Sequence, residues 1–272
     1  MRRYHLSESD QVYFLHIAKT AGSSLSNILN HFLWTKVEER PHYLPHDLLT
    51  PPETLVTDPL IVGHLFYSLH HFLMRPPIYL TILRDPVTQV MSHFLHIQRD
   101  PNSQFHRKFQ GKTLLDFVRD PELEPIVANY QTRNLIVDGD FRAVAAATPM
   151  PVQKYPGFPH LMLAACVCDQ ALLDQAKARL REFAFVGIAE RFEESIALLT
   201  YTFHWPSLRE FERFNTAPNV LREEEIPAEA VAIIEAKNTL DRQLHRFGLE
   251  LFESRLREME AEVRAGGVPP SR

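Results

Sequence analysis

Residues 12–33 read VYFLHIAKTAGSSLSNILNHFL, and this stretch decides the fold. Its first six residues are mostly β-branched, aromatic or aliphatic, which is typical of a short strand. Residues 18–24 are small or polar, and apolar side chains then recur at helical spacing over residues 25–33. The stretch therefore predicts a strand, a tight loop and a helix in immediate succession.

A second unit of the same kind follows at residues 78–97. Residues 78–83 form an apolar run suited to a strand buried on both faces. Asp85 is placed to cap, and Pro86 to open, a helix that continues to about residue 97. Further short strands are predicted at residues 60–62 and 183–188, and further helices at residues 114–118, 126–137, 161–180, 191–203 and 228–256.

This alternation predicts the α/β class. Strands that alternate with longer helices form a central parallel sheet flanked by helices, and the ligand crevice of such a sheet lies at the carboxyl ends of its strands. The later helices predict a mostly helical carboxyl-terminal half. We expect a single domain over residues 1–272, with about residues 1–10 and 263–272 flexible and the proline-rich residues 41–59 forming a surface loop.

Composition limits the partners and the compartment. Hydrophobic residues make up 45% and charged residues 23%, as in an ordinary globular chain. The net charge is -5, so we expect no basic surface for nucleic acid. We find no signal-peptide pattern and no apolar run long enough to cross a bilayer, so we expect a cytoplasmic protein without a membrane span. Cys166 and Cys168 are too closely spaced for a relaxed disulfide and are predicted to be structural thiols.

The loop between the first strand and the first helix has the composition of a phosphate site. Main-chain N–H groups at a helix N-terminus can surround an anion, and Lys19 adds a positive charge. The predicted anion-binding residues are Lys19, Thr20, Ala21, Gly22, Ser23 and Ser24. The lysine precedes the glycine, unlike the Gly-Lys-Ser/Thr order of nucleoside-triphosphatase loops. An ordinary strand-to-helix turn with a surface lysine is the alternative.

Arg84 and Ser92 suggest a second anion site. Arg84 leaves the end of its strand, and Ser92 follows about two helical turns later. Taken alone, Arg84 is better explained by an ion pair with Asp85 or another acid, and Ser92 by an ordinary helix position. Two anion sites at separate strand-to-helix junctions favour the ligand explanation, because one ligand with two separated phosphates would match both.

Histidine is abundant, with 14 in the chain. His93 and His96 have the spacing of one helix face, and His70 and His71 are adjacent. No acidic or cysteine partner falls at a convincing spacing from these residues or from His64, so we expect no metal site. A histidine directly after a strand, as His64 is, is commonly a hydrogen-bonded structural residue.

The two junctions resemble a known family. Residues 14–25, FLHIAKTAGSSL, resemble the 5′-phosphosulfate loop of sulfotransferases that use 3′-phosphoadenosine 5′-phosphosulfate (PAPS). Residues 81–94 resemble the 3′-phosphate motif of the same enzymes. The most similar branch is the bacterial relatives of the heparan sulfate 2-O-sulfotransferases. Gly63-His64, Gln131-Thr132-Arg133 and residues 185–195 and 238–241 also resemble that branch, so the similarity extends from residue 12 to about residue 256.

Two residues depart from the family pattern. Ala18 stands where a proline is usual, and Gln89 stands where an arginine is usual. The second change is expected to remove a structural ion pair or an acceptor contact. Neither change affects the residues that would hold PAPS.

The resemblance implies a P-loop-like sulfotransferase fold and an enzyme that transfers a sulfuryl group from PAPS to an acceptor hydroxyl. The acceptor would be a carbohydrate or another small alcohol, the product would be 3′,5′-adenosine bisphosphate, and no metal would be required. Lys19 and the loop N–H groups would stabilise the departing 5′-phosphate, and His64 would be the general base. Arg84 and Ser92 would bind the 3′-phosphate. For Arg133, a contact with an anionic ligand and an ion pair are both open.

Two other functions remain as alternatives. One is a nucleotide-dependent kinase of P-loop type, and the other is a non-catalytic module that binds a nucleotide or a glycan. Variable loops at residues 41–59, 102–112 and 138–159 are expected to select the acceptor, and Phe214-Asn215 to close over the adenine. The sequence names neither the acceptor nor the oligomeric state.

Overall fold

The computed structural model describes residues 2–33, 43–44, 59–64, 66–71, 73–103, 105–140, 166, 168–208 and 226–266. Five parallel strands form one sheet in the order β2-β3-β1-β4-β5. The strands are β1 (Val12–Leu15), β2 (Tyr43–Leu44), β3 (Leu60–Gly63), β4 (Ile78–Leu83) and β5 (Phe185–Ile188). The predicted parallel sheet of an α/β fold is confirmed.

Ten α-helices accompany the sheet in the described residues. They are α1 (Gly22–Leu33), α2 (Pro86–Arg99), α3 (His106–Phe109), α4 (Leu114–Arg119), α5 (Glu124–Val127), α6 (Tyr130–Ile136), α7 (Gln170–Glu182), α8 (Phe192–Thr202), α9 (Ala228–Lys237) and α10 (Thr239–Arg264). Short 3-10 segments lie at Phe66–His71, Pro121–Leu123 and Ala189–Arg191. Helices thus dominate the chain after β4, as predicted.

The central strand β1 pairs with β3 on one side and with β4 on the other. Leu15 lies opposite Gly63, and Phe14 lies opposite Leu80. Every residue of β1, β3 and β5 is buried, which explains why these strands read as unbroken apolar runs. This register brings the carboxyl ends of β1, β3 and β4 to the same edge of the sheet.

The strand β2 corrects one prediction. Tyr43 and Leu44 pair with Val62 and Gly63 of β3, although residues 41–59 were predicted to be surface loop. Two residues at the sheet edge are too few to show an alternation of apolar and polar side chains. The prediction was therefore wrong at these two residues, and residues 45–58 lie outside the described part of the chain.

Two of the predicted helices are divided in the structure, and a third is described only in part. The helix predicted at 126–137 is interrupted before α6, where Asn129 adopts a left-handed conformation with φ of 47°. The helix predicted at 228–256 is divided at Asn238 and extends to residue 264. Helix α7 begins at Gln170, where the Asp169 side chain accepts from Leu172 N, and residues 161–165 and 167 of the helix predicted at 161–180 lie outside the described residues.

The long helix α10 packs closely against the sheet. A Cβ atom at Gly248 would lie 2.5 Å from Leu83 Cδ1, so only glycine permits this approach of α10 to the end of β4. Phe252, one turn further along α10, is fully buried. The carboxyl-terminal helix is therefore part of the same core as the strands.

At the other end of the chain, Tyr4 N donates a hydrogen bond to Thr202 O at 2.8 Å, and the Tyr4 ring lies against Phe203.

Cys166 and Cys168 are free thiols and are both half-buried. None of the described helices combines the length and the apolar character needed to cross a membrane.

Candidate functional site

Three of the predicted functional residues meet at the carboxyl edge of the sheet. His64 follows β3, Lys19 follows β1 and Arg84 follows β4. His16 N donates to Gly63 O at 3.0 Å, which continues the β1–β3 pairing beyond both strands. On the other side, Arg84 Nη1 donates to Lys19 O at 3.0 Å. The two predicted anion sites are therefore joined directly.

The loop after β1 forms a concave main-chain surface. Lys19 and Ala21 adopt left-handed conformations, with φ of 69° and 67°, and α1 begins at the next residue. Alternation of such residues with ordinary ones turns successive N–H groups toward one point, which is the geometry of an anion site. The Thr20 hydroxyl donates to Ile17 O at 2.9 Å and is buried. Thr20 can therefore donate to an anion through its N–H group but not through its side chain.

Gly22 is required by the close approach of a histidine ring. A Cβ atom at Gly22 would lie 2.0 Å from Cδ2 and Nε2 of His16. The His16 ring stacks on Phe14, and its pKa is well below the ordinary value because of burial and the nearby His64 and Lys19. The sequence predicts no role for His16, and its position directly before the loop is the feature that could have indicated one.

His64 is held in one tautomer. Its Nδ1 lies 2.5 Å from His16 O, and since a carbonyl only accepts, Nδ1 must carry the proton. Nε2 therefore carries the lone pair, and it has no hydrogen bond to any other described residue. Burial lowers the pKa of His64, and the bond to His16 opposes this only in part. The ring is thus neutral near pH 7 and is oriented as a base would need to be.

Lys19 is a half-buried cation without an ion-pair partner among the described residues. Its pKa is lowered to about 8, first by burial and then by Arg99 and Arg84, with Asp100 opposing the shift. Among the charged neighbours that shift the pKa of Lys19, two are positive and one is negative. An anionic ligand would relieve the repulsion between Lys19 and the two arginines.

Arg84 is positioned by bonds to its main chain and side chain. Its N–H donates to Gln131 Oε1 at 3.0 Å, and Gln131 Nε2 donates to its carbonyl at 2.7 Å. Arg84 Nε donates to Thr88 Oγ1 at 3.1 Å. The Nη2 group makes no hydrogen bond within the described part of the chain. Asp85 does not pair with Arg84, because its carboxylate caps α2 and bonds Arg242.

Helix α2 lines the site beside Arg84 and Lys19. Ser92 lies one turn beyond Thr88 on the same helix face and is half-buried. His93 also lies near Lys19, and its pKa is lowered to about 3, mainly by burial and then by Lys19 and His96. His93 Nδ1 is buried and has no hydrogen-bond partner among the described residues. The proximity of His93 and His96 to Lys19 was not predicted.

Comparison with known proteins gives a consistent set of relatives, although no family model matches the chain. Heparan-sulfate 6-O-sulfotransferase 1-B of Danio rerio is 26% identical over 204 residues, which is 67% of this chain and 45% of that protein. Heparan-sulfate 6-O-sulfotransferase 1 of Mus musculus is 27% identical over 199 residues, or 65% of this chain and 44% of that protein. Heparan-sulfate 6-O-sulfotransferase 3-B of Danio rerio is 28% identical over 199 residues, or 65% of this chain and 43% of that protein.

The chain is a homologue of the heparan-sulfate 6-O-sulfotransferases. The resemblance to carbohydrate sulfotransferases is thereby confirmed, and the assignment to the 2-O branch stays a prediction. The chain spans less than half the length of the relatives that it matches, and 45% of Heparan-sulfate 6-O-sulfotransferase 1-B.

Gln89, which stands where an arginine is usual in the family pattern, bonds the main chain at the start of the loop after β1. It is buried, and its Nε2 donates to Ala18 O at 3.1 Å. The Tyr130 hydroxyl also forms a hydrogen bond with the main chain of Ala18, and burial raises the pKa of Tyr130 to about 12, so this hydroxyl stays protonated. The two side chains hold the residue that precedes Lys19.

Arg133 donates hydrogen bonds to two main-chain carbonyl groups. Its Nε donates to Ala128 O at 2.9 Å, and its Nη1 donates to Cys166 O. Gln131 is therefore the member of the Gln-Thr-Arg segment that reaches the site. Of the loops expected to select the acceptor, residues 41–42, 45–58, 104 and 141–159 lie outside the described residues, as does the Phe214-Asn215 segment.

Proposed function

We propose that this chain transfers a sulfuryl group from PAPS to a hydroxyl of a carbohydrate. The observation that carries the proposal is the hydrogen bond from Arg84 Nη1 to Lys19 O, because it joins the two anion sites at one edge of the sheet. The relatives, which are named as sulfotransferases of heparan sulfate, support the reaction and a glycan acceptor.

The donor would be bound at both of its charged ends. Lys19 and the N–H groups of residues 20–24 would surround the 5′-phosphosulfate at the start of α1. Arg84 and Ser92 would bind the 3′-phosphate, for which Arg84 has an unused Nη2 group. This second contact would distinguish PAPS from ATP and GTP.

The transfer itself needs an in-line displacement. The acceptor hydroxyl would give its proton to His64 Nε2, and its oxygen would form a bond to sulfur as the bond from sulfur to the 5′-phosphate oxygen breaks. Lys19 would stabilise the charge that develops on that departing oxygen. Described residues of this chain would thus supply a base, a donor site and a stabilising cation.

Binding of 3′,5′-adenosine bisphosphate, compared with 5′-AMP, tests the donor site. We expect the native chain to prefer the bisphosphate, and Arg84→Ala to weaken bisphosphate binding by about 10- to 100-fold, the value of a charged hydrogen bond, with little effect on 5′-AMP. Isothermal titration calorimetry measures both affinities. Equal affinity for the two ligands in the native chain would contradict the donor assignment.

Transfer from labelled PAPS to chemically desulfated heparan sulfate tests the reaction. We expect Lys19→Ala and His64→Ala to lower turnover by about 100-fold or more, while His64→Ala leaves bisphosphate affinity unchanged. His31→Ala, at an exposed site on α1, is the control. Tight binding of magnesium ATP with weak bisphosphate binding would favour a kinase instead. Donor binding without transfer to any acceptor, unaffected by His64→Ala, would favour a non-catalytic module.

A further inference from the structure

A second group of polar side chains lies outside the proposed transfer site. His70 and His71 end the 3-10 segment, and Asp138 follows α6. His70 Nε2 lies 3.5 Å from Asp138 Oδ1, and His71 Nε2 lies 2.7 Å from the same oxygen. The three ligand atoms all lie within 4.8 Å of one another. We propose that His70, His71 and Asp138 bind a divalent metal ion of the zinc class.

The spacing of the ligand atoms fits a tetrahedral ion. Bonds of about 2.0–2.1 Å at tetrahedral angles place two ligand atoms roughly 3.3–3.4 Å apart. The distance from His70 Nε2 to Asp138 Oδ1, 3.5 Å, is already close to this value. His71 Nε2 needs to withdraw by about 0.6 Å, because it now donates a hydrogen bond to that oxygen. The ion would take the place of this proton, which would pass to Nδ1 or to solvent.

His70 has the tautomer that a metal ligand needs. Its Nδ1 lies 2.9 Å from Tyr67 O, a carbonyl that only accepts, so the proton is on Nδ1. The Nε2 lone pair is then directed to Asp138. Histidines that bind metals usually donate their second ring N–H to a carbonyl or a carboxylate in this way. The Tyr79 hydroxyl, 3.1 Å from Nδ1, further restricts the ring.

Asp138 is oriented by an arginine. Arg179 Nη2 donates to Asp138 Oδ2 at 2.6 Å, and Arg179 Nη1 donates to Leu135 O at 2.6 Å. Oδ1 is thereby turned toward the histidines as a single ligand atom. The guanidinium also places a positive charge close to the ion, so we expect micromolar and not nanomolar affinity.

Two imidazoles and one carboxylate oxygen favour zinc over magnesium or calcium, which prefer shells of oxygen atoms. The side chains of His70 and Asp138 are each 28% exposed and that of His71 is 37% exposed, so an ion can enter and water can occupy a further position. The site would tie the 3-10 segment, which follows His64 closely, to the end of α6. Ser68 Oγ already makes one such tie, to Val137 O at 3.2 Å.

Metal uptake by the full chain tests this site without any measurement of sulfuryl transfer. After removal of metals with a chelator, Zn²⁺ is titrated by calorimetry and Co²⁺ by its visible absorption. We expect one ion per chain, with the strong absorption of four-coordinate Co²⁺. Asp138→Asn and His71→Ala should each weaken binding by at least about tenfold. His31→Ala, which removes an exposed histidine elsewhere, should leave it unchanged.

Neither of the two variants is expected to disturb the fold. Asparagine at 138 retains an oxygen acceptor for Arg179, and His71 is exposed, so we expect both variants to keep the native circular dichroism spectrum and thermal midpoint. Zinc should raise the thermal midpoint of the native chain and not that of the variants. Absence of uptake by the native chain, or uptake that survives both substitutions, would overturn the proposal.

Discussion

Lys19 and His64 lie at the same edge of the sheet, and their proposed roles require different protonation states. Lys19 must be protonated to stabilise an anion, yet burial and two neighbouring arginines lower its pKa to about 8. His64 must be neutral to accept a proton, and burial lowers its pKa below the ordinary value of 6.5. Between these two pKa values, the free protein therefore has both residues in the protonation states that the proposed roles require.

The pH dependence of kcat/KM should show these two limits. We expect the rate to rise through a pKa below 6.5 as His64 loses its proton, and to fall through about pH 8 as Lys19 loses its own. Initial rates of transfer from labelled PAPS across the pH range measure the profile. Lys19→Arg retains a cation that does not titrate and should remove the alkaline fall. An alkaline limb unchanged in Lys19→Arg would show that another group controls it.

Among the elements, α6 and α10 cap one another. Asn129 Oδ1, just before α6, accepts from Leu240 N and Asp241 N in the first turn of α10. In return, Asp241 accepts from the N–H groups of Gln131 and Thr132 and from the Thr132 hydroxyl. Asp241 is fully buried, and its pKa is raised by burial in spite of these bonds. Each of the two helix starts thus receives hydrogen-bond acceptors from a side chain at the other.

Asp241→Ala should destabilise the chain strongly. It leaves two buried N–H groups and one hydroxyl without their acceptor, which we expect to cost about 2–4 kcal/mol. Asp169→Ala is the matched control, because Asp169 caps α7 at an exposed site through one bond and should cost about 1 kcal/mol. Urea unfolding gives both free energies of unfolding. Equal losses for the two variants would refute the importance of reciprocal capping.

The same elements explain what could be predicted from the sequence. β1, β3, β4 and β5 were found because strands buried on both faces read as apolar runs, and Lys19, His64 and Arg84 were placed together because parallel strands end at one edge. The break at Asn129 was missed because its side-chain partner lies 111 residues away, at Leu240. Such contacts between distant segments leave no periodic pattern.

Across the whole molecule, the carboxyl-terminal helix reaches the anion site through Gln131. Asp241 of α10 accepts from Gln131 N at 2.8 Å, and the Gln131 side chain bonds both the N–H and the carbonyl of Arg84. Arg84 in turn bonds Lys19 O. A continuous set of hydrogen bonds therefore joins the helical half of the chain to the loop after β1.

Gln131→Ala should weaken donor binding without removing any group that would touch the donor. At 100 times its dissociation constant, 3′,5′-adenosine bisphosphate should stabilise the native chain by about 2.7 kcal/mol, or roughly 5–10 °C in thermal midpoint. If Arg84 loses its main-chain support and affinity falls about tenfold, the same concentration should give about half this shift. Gln243→Ala is the control and should keep the full shift, because Gln243 is an exposed residue of α10 whose side chain bonds Thr239 O. A full shift in Gln131→Ala as well would mean that β4 alone positions Arg84, and that the helical half contributes stability but not donor affinity.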